Sequence, residues 1–305
     1  MLADRALGVD VGGTRIRAAL VDRSGGIAHR RSVATPANDG ARAVVQAIAA
    51  VCREVIADAG ARVALPVGLC APGPLDARRG IALSTPTIRG FVDFPLRQAL
   101  QDEVGLEVTI ENDGPAAALG EWVHGAGQGT RDFVYVTVST GIGGGVVSEG
   151  RLLRGRLGLA GHVGHIPIAA GGQVLCFCGQ PGCWEAEASG SALQRKAIAS
   201  GFASLEDAFA RARQGDRAAV EFSETAAGQL ALGLAAIAHV LSPERIVIGG
   251  GVSNAFDILA PALIARFRAR VLPPFRDVEL MRTQLGDNAG LLGAAQLALE
   301  PSLRA

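Results

Sequence analysis

Lysine is almost absent from this chain: Lys196 is the only one among 29 basic residues. A phosphate loop ending in Gly-Lys-Ser/Thr is therefore excluded, and any phosphate must be met by backbone N–H groups, hydroxyls and a metal. Net charge is missing too, with 29 basic against 29 acidic residues, which removes any general attraction to nucleic acid or an acidic membrane. No apolar run approaches the roughly 20 residues needed to cross a bilayer. A charged leader with an apolar core is lacking, so the chain is expected in the cytoplasm with reduced thiols. No low-complexity tract separates its halves, which points to a shared hinge instead of a tether. The dinucleotide fingerprint G-x-G-x-x-G does not occur. What is there, 49% hydrophobic and 19% charged over 305 residues, suits a well-buried globular protein of one large or two smaller domains.

Cysteine and histidine number five each, yet three cysteines and two histidines crowd into residues 161–185, GHVGHIPIAAGGQVLCFCGQPGCWE. His165, Cys176, Cys178 and Cys183 are separated by ten, one and four residues. Three thiolates and one imidazole are the donor set of a closed tetrahedral zinc site. Gly179, Pro181 and Gly182 let the backbone turn tightly enough for Cys178 and Cys183 to converge. A disulfide or unrelated buried thiols are the alternatives, and an odd cysteine count without a secretion signal argues against the first. A closed zinc site builds structure and does no chemistry itself. Cys52 and Cys70, outside this stretch, read as inert packing residues.

Residues 6–21, ALGVDVGGTRIRAALV, alternate as strand, glycine turn and strand. In the turn, Asp10 precedes Gly12 and Gly13, and Thr14 follows: a carboxylate for Mg²⁺, with N–H and O–H groups for phosphate oxygens. An ordinary tight hairpin fits that turn equally well. The pattern recurs at 133–147, FVYVTVSTGIGGGVV, and a third glycine turn follows a strand at 245–251, RIVIGGG. Helices are expected over 42–59, over 116–124 behind Pro115, over 226–241 before Pro243, over 260–270 with Pro261 in the first turn, and over 289–299 capped by Asp287. Residues 84–96 read as a loop against a cleft. Glu111, Asn112 and Asp113 end the strand over 108–110, just before a helix, where open α/β sheets bind ligands. The helix dipole is expected to keep Asp113 ionised; a bare helix cap is the alternative for this residue.

In order along nearly the whole chain, DVGGT, ENDGPAAALGE, STGIGGG, GHVGH with CFCGQPGCWEAEASG, and IGGGVS resemble the ROK family of repressors and sugar kinases. The resemblance implies a two-lobed α/β fold of the actin-like ATPase, ribonuclease H-like kind, with a zinc-binding loop. The smaller lobe would span 1–114 plus about 288–305, and the larger, carrying the zinc motif, 115–287. ATP and Mg²⁺ would meet Asp10, Gly12, Gly13 and Thr14 in one lobe and Thr140, Gly141 and Gly143 in the other, with Gly249, Gly250 and Gly251 on the adenine–ribose side. Asp113 would be the catalytic base, and Gly73, Thr87, Asn112, Asp113, His162 and Glu185 would surround the sugar. A homodimer is implied. The first hairpin starts within ten residues of Met1, so the N-terminal helix-turn-helix of the repressor members is not expected.

Two departures bear on the sugar. His162 stands where the family's AGExGH has glutamate, and Thr87 where many family glucokinases have asparagine. Neutral imidazole offers one donor and one acceptor in place of an acceptor-only carboxylate. Its donor suits the carbonyl of an N-acetyl group, and the GLAGHxGH stretch and Phe94-Pro95-Leu96 resemble bacterial N-acetylmannosamine kinases. An ATP-dependent 6-kinase of N-acetylmannosamine is therefore expected, a glucokinase or N-acetylglucosamine kinase being the alternative. A sugar sensor without catalysis is the reading from another class.

Overall fold

The computed structural model describes residues 4–60, 65–85, 87–169, 171–172 and 174–304. Leu7, Val9 and Val11 are buried along β1 (Arg5–Val11), which turns back into β2 (Arg15–Asp22) and then β3 (Ile27–Ala34). Of the apolar residues at helical spacing on α1 (Ala41–Asp58), Val44, Val45, Ile48, Val51 and Val55 are buried against this sheet, as is Cys52, and Ile56 is half-buried at its edge. β4 (Val67–Ala71) joins β1 in parallel. Short strands β5 (Leu75–Asp76), β6 (Ile81–Ser84) and β7 (Val92–Phe94) make a separate small sheet, so the segment read as a loop over 84–96 contains a strand and enters α2 (Leu96–Val104). β8 (Val108–Asn112) completes the first large sheet, ordered β3-β2-β1-β4-β8.

α3 (Asp113–His124) leads into β9 (Phe133–Val138), β10 (Ile142–Ser148) and β11 (Arg151–Leu152). After the cysteine-rich loop come α4 (Trp184–Ala188), α5 (Gly190–Ala199), α6 (Leu205–Arg213) and α7 (Arg217–Leu241). β12 (Arg245–Gly249), α8 (Phe256–Arg268), β13 (Glu279–Arg282) and α9 (Ala289–Leu299) end the chain. The second large sheet, β11-β10-β9-β12-β13, repeats the first strand for strand: an antiparallel meander continued, beyond its first strand, by two parallel ones.

Several helix boundaries differ from the sequence reading. α7 begins at Arg217, where the Asp216 carboxylate accepts the Ala219 N–H and caps it. Its 25 residues are long and apolar enough to span a membrane, but its apolar side packs into the hydrophobic core against the second sheet, with Trp184 and α8. α8 begins at Phe256, so Pro261 lies in its interior and not in its first turn. α3 takes in Asp113, making Asn112 its N-cap position and Pro115 its third residue. Asp287 does not cap α9, because its carboxylate turns to Arg17.

α9 returns to the first sheet, and α3 lies on the second. Gly8 sits under the Leu291 carbonyl and Gly68 under that of Ala294, while Gly114 and Gly145 bring α3 onto β10. The two helices cross backbone to backbone: a Cβ on Gly293 would strike the Ala116 carbonyl, and one on Gly120 the Ala289 carbonyl. This crossing joins the two sheets and puts the carboxyl end of β8 between the two glycine hairpins.

Candidate active site

The first hairpin places Asp10 directly opposite Arg17, and the two form an ion pair of 2.9 Å. Arg17 also reaches the Asp287 carbonyl at 3.2 Å and its carboxylate at 3.4 Å. The Cys70 thiol donates to Asp10 Oδ1 at 3.4 Å. Burial raises the Asp10 carboxyl above the ordinary aspartate value, Arg17 and the Cys70 bond oppose the rise, Asp287 adds to it, and Arg30 lowers it. The turn closes through the Gly12 N–H to the Arg15 carbonyl at 2.8 Å. Thr35 braces it, its hydroxyl donating to the Gly12 carbonyl at 2.7 Å and its N–H to the Thr14 carbonyl at 3.0 Å. Thr87, from the small sheet's loop, lies against Gly13, where an added Cβ would sit 3.4 Å from its own.

Asp113 opens α3 and is exposed, near enough to Asp10 of the first hairpin to act on it, while the next residue, Gly114, packs on the Gly144 carbonyl of the second hairpin. One carboxylate oxygen accepts the Gly114 N–H at 2.8 Å, and no other partner holds this side chain among the described residues. The expected pull of the helix N-terminus is outweighed. Desolvation by the surrounding protein raises the Asp113 carboxyl above its ordinary value, the Gly114 bond opposes this, Asp10 adds to the rise, and His162 lowers it. Asn112, expected to touch the sugar, is spent on the main chain. Its Oδ1 accepts the Leu75 N–H at 2.8 Å, and its Nδ2 donates to the carbonyls of Leu75 at 3.0 Å and Gly158 at 3.1 Å. Both amide hydrogens are in use, leaving one acceptor lone pair. Gly73, before a cis proline, is packed so close to Asn112 Oδ1 that a side chain is shut out. Behind Asn112 stands a buried ion pair the sequence did not disclose, Glu111 with Arg154 at 2.8 Å.

The second hairpin carries no charge of its own. Glu185, at the start of α4, supplies one by accepting the Ile142 N–H at 2.8 Å, and Gly141 leaves room for that carboxylate. Beside Thr140 opens a cavity of about 600 Å³ lined by Ser139, Gln194, Glu206, Phe209, Gly251 and Asn254 among others. Of the third glycine turn, Gly251 reaches this cavity. Gly249 instead makes room for the Tyr135 ring, and Gly250 for the Val138 carbonyl. The α5 and α6 residues of the cavity went unnoticed in the sequence, because Leu205 and Phe209 look like the buried stripe of any amphipathic helix.

His162 is exposed, and its Nδ1 sits 2.8 Å from the Leu159 carbonyl. A carbonyl can only accept, so Nδ1 bears the hydrogen and a neutral ring presents bare Nε2 as an acceptor. The donor assigned above to an N-acetyl carbonyl is therefore already engaged, which corrects that part of the sequence reading. Three residues on, a ring nitrogen of His165 and the sulfurs of Cys176, Cys178 and Cys183 all lie within 4.8 Å of one another. The separations are 3.5 Å from Nδ1 to Cys176 and 3.6 Å from Cys178 to Cys183, too long for a disulfide. A tetrahedral zinc ion with Zn–S of about 2.3 Å would need edges of about 3.6–3.8 Å, so the cluster fits such an ion. Burial and the neighbouring thiols push the Cys183 thiol up to about 12, so loading a metal would release protons.

The sequence model described as the ROK family matches residues 6–301. The chain is 38% identical over 295 residues to the N-acetylmannosamine kinase of Citrobacter koseri, covering 96% of this chain and 98% of that one. Its fold is similar to the ROK hexokinase from Thermus thermophilus at a TM-score of 0.87 and 39% identity, over 99% of this chain and 100% of the other. It is also similar to a ROK family glucokinase from Streptomyces griseus, solved with glucose and AMPPNP, at a TM-score of 0.83 and 37% identity, over 96% and 99% of the two chains.

Proposed function

Because the chain belongs to the ROK family, we propose that it is an ATP-dependent kinase acting on the 6-hydroxyl of a hexose, with N-acetylmannosamine as the favoured substrate. The observation that carries the kinase reading is Asp113, a carboxylate with a spare oxygen set between Asp10 of the first glycine hairpin and Gly144 of the second. In this reading the nucleoside occupies the cavity beside Thr140 and Gly251, and the polyphosphate runs between the N–H groups of the two hairpins. Asp10 holds the metal side, and Mg²⁺ when bound neutralises charge on the phosphate oxygens. Asp113 accepts the proton of the 6-hydroxyl as the new O–P bond forms and the bond from the γ-phosphorus to the β-bridging oxygen breaks. The products are ADP and the sugar 6-phosphate. Phosphoryl transfer asks mainly for positioning and charge neutralisation, so a modest carboxylate base suffices.

The substrate assignment rests on His162. A neutral His162 gives the sugar one acceptor, Nε2, where a glutamate would give two oxygens. A sugar with an acetamido group at C2 has one hydroxyl fewer and presents an amide N–H that Nε2 can accept. Glucose is the second reading, favoured by the likeness to the Streptomyces griseus enzyme; there Nε2 would accept a hydroxyl instead. An ADP-release assay over N-acetylmannosamine, N-acetylglucosamine, glucose, mannose and allose separates them. The highest kcat/KM is expected for N-acetylmannosamine, and a faster reaction with glucose overturns the substrate assignment while leaving the kinase reading intact. The fourfold cluster at His165 is assigned to structural zinc, with about one equivalent per chain expected by metal analysis.

A further inference from the structure

We propose that Arg17 is a nucleotide-positioning residue, whose guanidinium neutralises Asp10 so that a nucleotide's polyphosphate can approach the first hairpin before the divalent cation is in place. This rests on the reading of that hairpin as a phosphate site. A lone carboxylate at the mouth of such a site repels phosphate oxygens at short range and in poor dielectric screening. Arg17 cancels that charge at 2.9 Å, and Arg30 lies near enough to act on Asp10 as well.

Two observations separate this role from that of a strut. First, the fold does not need the pair. At the corresponding place in the second sheet, one residue pair before the turn, Thr137 faces Gly143, and the hairpin forms without charge. Second, the guanidinium is not used up by the protein. Arg17 Nε is buried without a partner, as is Asn288 Oδ1 beside Asp287, so the cluster holds polar capacity that nothing in the chain takes. Arginine's planar fork suits bidentate recognition of phosphate oxygens, and Nε is the donor left over here once the terminal nitrogens have met Asp10 and Asp287.

The test is calorimetric titration of the full-length protein with ADP, once with chelator and once with excess Mg²⁺, comparing Arg17→Ala, Arg17→Lys, Asp10→Asn and the double variant Asp10→Asn/Arg17→Ala. Arg17→Ala should weaken metal-free ADP by at least about tenfold and Mg·ADP by less than about threefold, since the cation then does the neutralising. Arg17→Lys should recover most of the loss. The double variant should bind metal-free ADP better than Arg17→Ala, because no carboxylate remains to repel it. Equal weakening with and without Mg²⁺, or unchanged metal-free affinity, overturns the proposal and leaves Arg17 a strut. Should Arg17→Ala fail to fold, as judged by its melting curve, Arg17→Lys and Asp10→Asn decide by the same ratio. If Asp10→Asn leaves Mg·ADP affinity untouched, the assignment of the first hairpin to nucleotide fails on its own, whatever Arg17 does.

Discussion

The two glycine hairpins occupy the same position in two sheets of the same strand order, yet one is charged and the other is not. Asp10 faces Arg17 in the first; Thr137 faces Gly143 in the second. The first turn is braced by the Thr35 hydroxyl, with the Thr87 side chain packed against Gly13 at its side. The second borrows a carboxylate from a distant segment, Glu185, carried in by the cysteine-rich loop and α4. A repeated scaffold has thus been divided between two tasks, one hairpin dealing in charge and the other in shape.

If that division is right, damage at the two places should differ in size and kind. The largest effect is expected at Asp113, between the hairpins: Asp113→Asn should lower kcat by about 10²–10⁴-fold with little change in sugar binding by calorimetry. A base must be ionised to act, so activity should fall as pH drops through the raised pKa of Asp113. The acid limb of kcat/KM is expected above the ordinary aspartate range, and a limb at or below that range contradicts the role. Asp10→Ala should cost about 10²-fold in kcat/KM for ATP, the scale of losing one preorganised charged group. Glu185→Ala should speed hydrogen exchange at the Ile142 amide by about tenfold, as expected for a lost charge-assisted bond. Thr137→Val should change turnover by less than about threefold, since the half-buried Thr137 carries no charge and loses only its hydroxyl bond to Tyr135. A Thr137→Val loss as large as that of Asp10→Ala would erase the contrast.

Both hairpins were legible in the sequence because alternation and glycine are local signals. So was the Cys₃His cluster, whose spacing is its own evidence. Arg17 was not, because its meaning depends on strand register: only once Val11 pairs with Ile16 does Arg17 face Asp10. Asn112 was legible as a position but not as a partner, since Leu75 and Gly158, which take its amide, are far away in the chain. His162 was recognised as the odd residue, while its tautomer came from a carbonyl three residues back. The cavity beside Thr140 draws on α5, α6 and the turn after β12, three segments with no common motif. The start of α8 was misplaced because Pro261 was given the first-turn position that proline favours, whereas the helix runs through it.

The crossing of α3 and α9 has a consequence for how such a protein changes over generations. Most joints between lobes are lined with side chains, and selection can stiffen or loosen them one methyl at a time. Here, at Gly120 and Gly293, main chain lies directly on main chain, with only small side chains such as Ala116 and Ala294 packed beside it. The smallest substitution available, alanine, is already too large, so the joint offers almost no gradual path to a different stiffness. Variation in how the two sheets are held must accumulate elsewhere in the chain.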